Sequence, residues 1–434
     1  PAVPSADRLA GSAPSLHLFF SVGEPSGDLH GANLIRELRQ LRPDLRCSGY
    51  GGPKMLQAGL AQHFDLTSMA VMWFLQVFRH LATFLSLYRR AGAFFDRERV
   101  DGVILIDYPG FNWWIARAAK KRGIPVYYYG VPQMWAWAPW RVRKMRRLVD
   151  LALCKLPFEA SWFARRGVRA IDVGHPFYDE VAAQQVDQAF VDERSDPSRP
   201  WLVLLPGSRD IELDRNLDTL LGTARRVAAS RPTTRIAVAC FRERHAVRVE
   251  RRCTELGLSG IEVHHGRTPE LIRVATCCVA CSGSVSLELL YLERPTAIVY
   301  RIPRWAHLAM RAMVRVRYVT LVNLLWTPVI ERRDWSLQDP DRANAEPVPF
   351  PEFVTTDDPS ERVARRVVGW LSDPESLEGS RRQLRELKRR HVRLGASRRG
   401  AEAILEDLSA RSSRRLTEAG PSETSASATS RRAA

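Results

Sequence analysis

The chain has 434 residues, 45% hydrophobic and 26% charged, which leaves room for two domains of ordinary size and excludes both a disordered chain and a polytopic membrane protein. Its 65 Lys and Arg against 48 Asp and Glu give a net charge of +17, which points to a polyanionic partner: nucleic acid, nucleotide phosphates or an acidic lipid surface. Seven scattered cysteines do not make a disulfide framework, and Cys278 with Cys281 is a lone C-x-x-C without the second pair a zinc site needs, so no metal is expected.

Residues 1–14 and 410–434 are small, polar and aperiodic and are predicted to be disordered tails. Short apolar runs at 16–22, 102–107, 125–130, 201–206, 235–240 and 276–283 predict buried strands. Helical spacing follows several of them, as in Leu34, Ile35, Leu38 and Leu41. Strand and helix alternating along a chain imply an α/β fold with parallel sheets, and the series restarts near residue 200, after the linker-like SDPSRP. The expected architecture is two Rossmann-like, doubly wound domains facing a cleft, at 15–190 and 191–379, with helices at 380–409 packing back on the first. The longest apolar stretch, 69–88, is broken by Gln76, Arg79 and His80, and is expected to lie on or near a membrane and not through it. No signal-peptide pattern is present in the stretch given.

Ligands of such sheets bind beyond the carboxyl ends of strands, so the chemistry is sought in the loops there. The first, GEPSGDLHG at 23–31, lacks the dinucleotide spacing G-x-G-x-x-G, and Glu24 and Asp28 would repel phosphate. Carboxylates suit the hydroxyls of a neutral polyol, although Asp28 also fits a plain helix N-cap. The second, IDYPGFN at 106–112, puts Asp107 at a strand end, where a carboxylate can act as general base toward a sugar hydroxyl or simply form a turn; Asn112 can cap the next helix. Two later loops differ in chemistry. LPGSR at 205–209 offers the Gly207 and Ser208 amides and the Arg209 guanidinium to a diphosphate, and CSGS at 281–284 leads into a helix with Glu288 one turn inside, placed for ribose hydroxyls. Acid-bearing loops in the first half and phosphate-suited loops in the second suggest a hydroxyl-bearing acceptor facing a nucleotide-sugar donor.

Ten segments in order, SVGEPSGDLHGA (21–32), GGPKM (51–55), AVM (70–72), IDYPGFN (106–112), PQMWAW (132–137), LPFE (156–159), VGHP (173–176), LLPGSR (204–209), CSGSVSLE (281–288) and LVNLL (321–325), resemble the motifs of the lipid-A-disaccharide synthases, glycosyltransferase family 19. The resemblance implies a GT-B fold and an inverting transfer, without a cofactor or required metal. UDP-2,3-diacylglucosamine would be the donor and 2,3-diacylglucosamine 1-phosphate the acceptor, giving a β-1,6-linked disaccharide 1-phosphate and UDP. Carried over, Asp107 resembles the catalytic carboxylate and Arg209 the phosphate-binding arginine. Glu24, Ser26, Gly27, Asp28, Asn112 and Gln133 fall on the acceptor side; Gly207, Ser208, Ser282, Gly283, Ser284, Glu288 and Asn323 fall on the donor side. The resemblance also implies work at the cytoplasmic face of the inner membrane and a homodimer exchanging C-terminal segments.

Departures from the family pattern, Trp73, Gln76, Val131 and Val322, bear on acceptor and acyl-chain contacts more than on the donor site. The segments at 73–90 and 135–147 mix aromatic residues with Arg and Lys, which suits an anionic bilayer interface. Basic residues interleaved with aromatics also suit single-stranded nucleic acid, but no nucleic-acid module accompanies them, and nucleic acid is not expected as a partner.

Overall fold

A computed structural model describes residues 15–69, 81–281, 283–331, 339–342 and 345–418. Among the described residues, the strands form two sheets, paired in parallel throughout. The first holds β1 (His17–Val22), β2 (Arg46–Gly51), β3 (Ala61–Asp65), β4 (Gly102–Ile106), β5 (Val126–Tyr129), β6 (Leu151–Cys154) and β7 (Ala170–Asp172), in the order β3-β2-β1-β4-β5-β6-β7. The second holds β8 (Trp201–Leu205), β9 (Arg235–Cys240), β10 (Ile261–His265), β11 (Cys277–Cys281), β12 (Thr296–Arg301) and β13 (Glu352–Thr355), in the order β10-β9-β8-β11-β12-β13.

All six strands expected from apolar runs are present, because strands covered on both faces must be apolar on both faces. Of the strands not expected from such runs, β3, β7, β10 and β13 are edge strands and β2 is rich in small residues, whereas β6 and β12 are inner strands, buried and largely apolar. β3 and β10 are only half-buried, and β2 contains Gly49 and Gly51, so burial imposes no continuous apolar signature on them.

One face of the first sheet is closed by the helices Pro25–Leu41 and Ala396–Glu418, whose Leu34, Ile35, Leu38, Ile404 and Leu408 pack on Leu18, Phe20 and Val22. Tyr127 in β5 donates to the Asp407 carboxylate at 2.8 Å, which ties the helix Ala396–Glu418 to the first sheet. That helix extends to Glu418, into the stretch that reads as tail in sequence. A solvated helix face needs no apolar period, and the i,i+4 pair Arg411–Asp407 supports it locally. The other face of the first sheet shares a continuous apolar cluster with one face of the second, from Phe19 and Tyr128 to Leu287 and Tyr318. All seven cysteines are buried and unpaired, with Cys277 and Cys278 in separate cores on opposite faces of β11. Among the described residues, no helix is long and apolar enough to cross a membrane.

Candidate active site

Each sheet reverses its order of construction once, between β1 and β4 and between β8 and β11. The crevice beyond such a switch point is where open α/β sheets bind ligands. The four loops singled out in the sequence follow these four strands.

At the first switch point, two of the expected loops are shorter than they read. Pro25 and Pro109 occupy first-turn positions, where a missing N–H costs nothing, so the helices start at Pro25 and Pro109. Ser26, Gly27 and Asp28 therefore belong to a helix, and Asn112 lies inside one and does not cap it. Gly27 serves close approach: a Cβ there would lie 2.9 Å from Val22 Cγ1 and 3.6 Å from Asp107 Oδ2. A Cβ at Gly23 would sit 2.4 Å from the Tyr108 ring.

Asp107 and Tyr108 both have left-handed backbones, φ 46° and 43°, a conformation that costs a non-glycine residue on the order of 1–3 kcal/mol. Asn112 holds this turn. Fully buried, it accepts from Ser21 Oγ at 2.7 Å and donates to the carbonyls of Ser21, Ile106 and Asp107. Tyr128 donates to the Asp107 carbonyl at 2.7 Å. The Asn112 amide is consumed internally, which holds the turn that carries Asp107.

Asp28 is engaged in the same way. Its buried carboxylate accepts from the amides of Gly52, Lys54 and Met55 at 2.9–3.0 Å, capping the helix Pro53–Gln57. Asp28→Ala is expected to cost roughly 2–3 kcal/mol in a denaturant titration while leaving acceptor KM unchanged. A raised KM at full stability would return Asp28 to the sugar site. Ser26 is exposed and lines neither cavity described below.

The Asp107 side chain faces a pocket of about 350 Å³ whose lining includes Glu24, Tyr108, Gln133, Trp137, Arg141, Lys155, Glu159 and His175. Lys155 Nζ lies 3.2 Å from Asp107 Oδ1, leaving Oδ2 for another partner. Glu24 is held above the usual carboxyl range by burial and by the negative charge of Asp107, against the opposing pull of Lys155 and Arg209. Burial and the Lys155 charge keep His175 well below the usual imidazole range; its Nδ1 accepts from the Phe177 amide at 3.2 Å.

Glu159 is enclosed, and burial pushes its carboxyl up to about 7 despite hydrogen bonds from Trp135 Nε1 and the Lys155 and Leu156 amides. A carboxyl raised in the folded state binds its proton more tightly there than in the unfolded chain. The associated stability is fully present below 4.5 and is lost as pH rises through 7, a swing of about 3 kcal/mol. Measured at pH 5 and pH 8, the stability of Glu159→Gln relative to wild type is expected to rise by about that amount. A pH-independent offset would mean that Glu159 is ionised throughout.

A larger cavity, about 850 Å³, opens between the two halves. Gly207, Ser208, Arg209, Gly283, Ser284 and Glu288 all line it; Ser282 lies outside the described residues. Burial raises the Glu288 carboxyl, and its buried Oε1 has no hydrogen-bond partner, an acceptor suited to a hydroxyl. The LPGSR loop departs from expectation. Gly207 adopts φ 102°, and the Ser208 and Arg209 amides donate at 3.0 and 3.2 Å to Glu212 Oε2, which occupies the place expected for a phosphate oxygen. The Arg209 side chain remains 79% exposed, 3.6 Å from Glu212. Gln133 and Leu321 line both cavities and mark their junction.

Asn323 is also engaged internally: fully buried, it donates to the Phe350 carbonyl and Glu352 and accepts from the Phe350 amide. It braces the segment that supplies Tyr318, Val319, Leu321 and Leu324 to the cavity wall and lines neither cavity itself. Lys155, Glu159 and His175 carry no assigned role in sequence, although they sit in or beside the LPFE and VGHP segments. Only their shared place on the wall of the Asp107 pocket singles them out. Of the membrane-suited segments, 70–80 lies outside the described residues, Phe84 and Leu87 pack into the core, and Trp135 is buried; Trp137 and Trp140 are exposed.

Residues 18–332 match the lipid-A-disaccharide synthetase family model. A lipid-A-disaccharide synthase from Myxococcus xanthus is 34% identical over 394 residues, 89% of this chain and 96% of that protein. Among solved structures, a putative UDP-N-acetylglucosamine 2-epimerase from Listeria monocytogenes is similar with TM-score 0.59 at 10% identity, covering 93% of this chain and 98% of that one. A UDP-GlcNAc 2-epimerase from Neisseria meningitidis bound to UDP-GlcNAc gives TM-score 0.53 at 11% identity, covering 91% and 98%. At such identities the likeness is one of fold, the two-domain GT-B architecture.

Proposed function

Since the chain belongs to the lipid-A-disaccharide synthase family and is a glycosyltransferase of lipid A biosynthesis, we propose that its two cavities divide the substrates of one inverting transfer. The pocket at Asp107 takes 2,3-diacylglucosamine 1-phosphate, and the larger cavity takes UDP-2,3-diacylglucosamine. The observation that carries this reading is the pairing of Asp107 and Glu24 in one cavity with Arg209, Ser284 and Glu288 in the other, joined at Gln133 and Leu321.

Asp107 accepts the proton of the acceptor 6-hydroxyl as its oxygen attacks the anomeric carbon of the donor. The bond from that carbon to the diphosphate breaks, and its electron pair leaves with UDP. Arg209 meets the charge growing on the diphosphate, and Glu288 accepts from the ribose hydroxyls. Lys155 holds Asp107 in place through Oδ1.

The direct test is UDP release and disaccharide formation by purified protein from the two diacylated glucosamines. Turnover of UDP-GlcNAc with another acceptor, and none with this pair, would overturn the substrate assignment. Exposed Trp137 and Trp140 beside the basic helix Val142–Leu148 support peripheral attachment to the anionic cytoplasmic face of the inner membrane. Salt-sensitive pelleting with anionic liposomes, without retention on nucleic acid, is the expected result; salt-independent partitioning would exclude an electrostatic attachment. A homodimer, also implied by the family, is tested by mass in solution.

A further inference from the structure

The pocket at Asp107 contains a cation that the transfer step does not use. Of the charged groups lining it, Lys155 is paired with Asp107, and Glu159 is taken by Trp135 and two backbone amides. His175 spends Nδ1 on the Phe177 amide, and burial and the Lys155 charge hold it well below the usual imidazole range. Arg141 is different: among the described residues no carboxylate pairs with it, and its guanidinium lies over the Trp137 ring, 4.5 Å from the centroid. Stacking fixes the plane of a guanidinium and leaves its N–H edge free, the geometry that receives a phosphate in a two-pronged hydrogen bond.

Neighbouring cations face elsewhere. Arg143, Lys144 and Arg147 line a separate cleft with Arg117, Lys120 and Lys121, and Arg143 and Arg146 line another with Arg165 and Arg166. Arg141 alone of this helical segment shares a wall with Asp107. The donor diphosphate belongs to the other cavity, with Arg209 and Ser284. The anion left for Arg141 is therefore on the molecule whose hydroxyl faces Asp107.

We propose that Arg141, held on the Trp137 platform, is the specificity-determining residue that reads the phosphomonoester of the acceptor. This inference rests on the functional reading given above. It makes the phosphate a handle that sets the sugar's orientation, so that the hydroxyl at the other end reaches Asp107.

The experiment compares wild type, Arg141→Ala and Arg141→Lys on detergent-dispersed diacylglucosamine 1-phosphate and on the same acceptor without its phosphate, with UDP affinity as the folding control. Expected is a rise of roughly 10–100-fold in KM for the phosphorylated acceptor in Arg141→Ala, partly rescued by Arg141→Lys, with donor KM and UDP affinity unchanged. On the acceptor without phosphate, wild type should be as poor as Arg141→Ala. Equal losses on both acceptors would overturn the proposal in favour of a structural role, and unchanged KM would overturn it outright. A loss seen only with vesicle-embedded acceptor, and matched by weaker vesicle binding, would assign Arg141 to lipid headgroups instead. Wild type turning over neither acceptor would overturn the functional reading, and the assignment of Arg141 with it.

Discussion

Asp107→Asn is expected to lower kcat by about 10³-fold, within the 10²–10⁴ range of general base catalysis, while UDP binds as before. The substitution preserves shape, and the left-handed turn is held through the backbone carbonyl of residue 107 and through Asn112, so the fold around it persists. What is removed is the proton-accepting oxygen in the pocket. Single-turnover kinetics with calorimetric UDP binding check both halves of the expectation. Normal turnover would remove Asp107 from the reaction and leave Glu24, the neighbouring carboxyl whose affinity for protons is raised by burial and by Asp107, as the remaining acid group aimed at the acceptor.

The second large effect is expected at Arg209. Its side chain is 79% exposed and its one ion pair among the described residues is with Glu212 at 3.6 Å, so Arg209→Ala should change stability by no more than about 0.5 kcal/mol. Turnover should nevertheless fall about 10²–10³-fold, because a positioned cation at the leaving diphosphate acts where charge develops. Arg209 lines the larger cavity, and its charge opposes the upward shift of the Glu24 carboxyl in the neighbouring pocket. Measuring kcat together with the unfolding midpoint separates the two effects. An unchanged kcat would mean that Ser284 and the rest of the CSGS turn carry the diphosphate alone.

The Glu212 contact bears on the same step. Its carboxylate occupies the Ser208 and Arg209 amides, so a diphosphate approaching this loop must either displace it or rely on Arg209 and the opposite loop. A sequence match to a phosphate-suited turn could not reveal that, because Glu212 lies in the following helix and bends back across Gly207.

Local chemistry determines much of this protein and is legible in its sequence. Strands buried on both faces must be apolar, so β1, β4, β8 and β11 are visible as runs, and the loops after them are where Asp107, Arg209, Glu288 and Glu24 were to be sought. Which polar residues in those loops are free to meet a ligand is settled only by tertiary structure. Asp28 is consumed by amides 24 to 27 positions away, Asn112 by Ser21, and Asn323 by residues 27 and 29 positions on. Buried polar groups must be paired, and their partners come from wherever the fold brings a donor or acceptor within reach, so spacing along the chain cannot tell a strut from a ligand. The same physics leaves Arg141 conspicuous: it is a charge on the pocket wall without a carboxylate partner among the described residues, a property no reading of its neighbours in sequence contains.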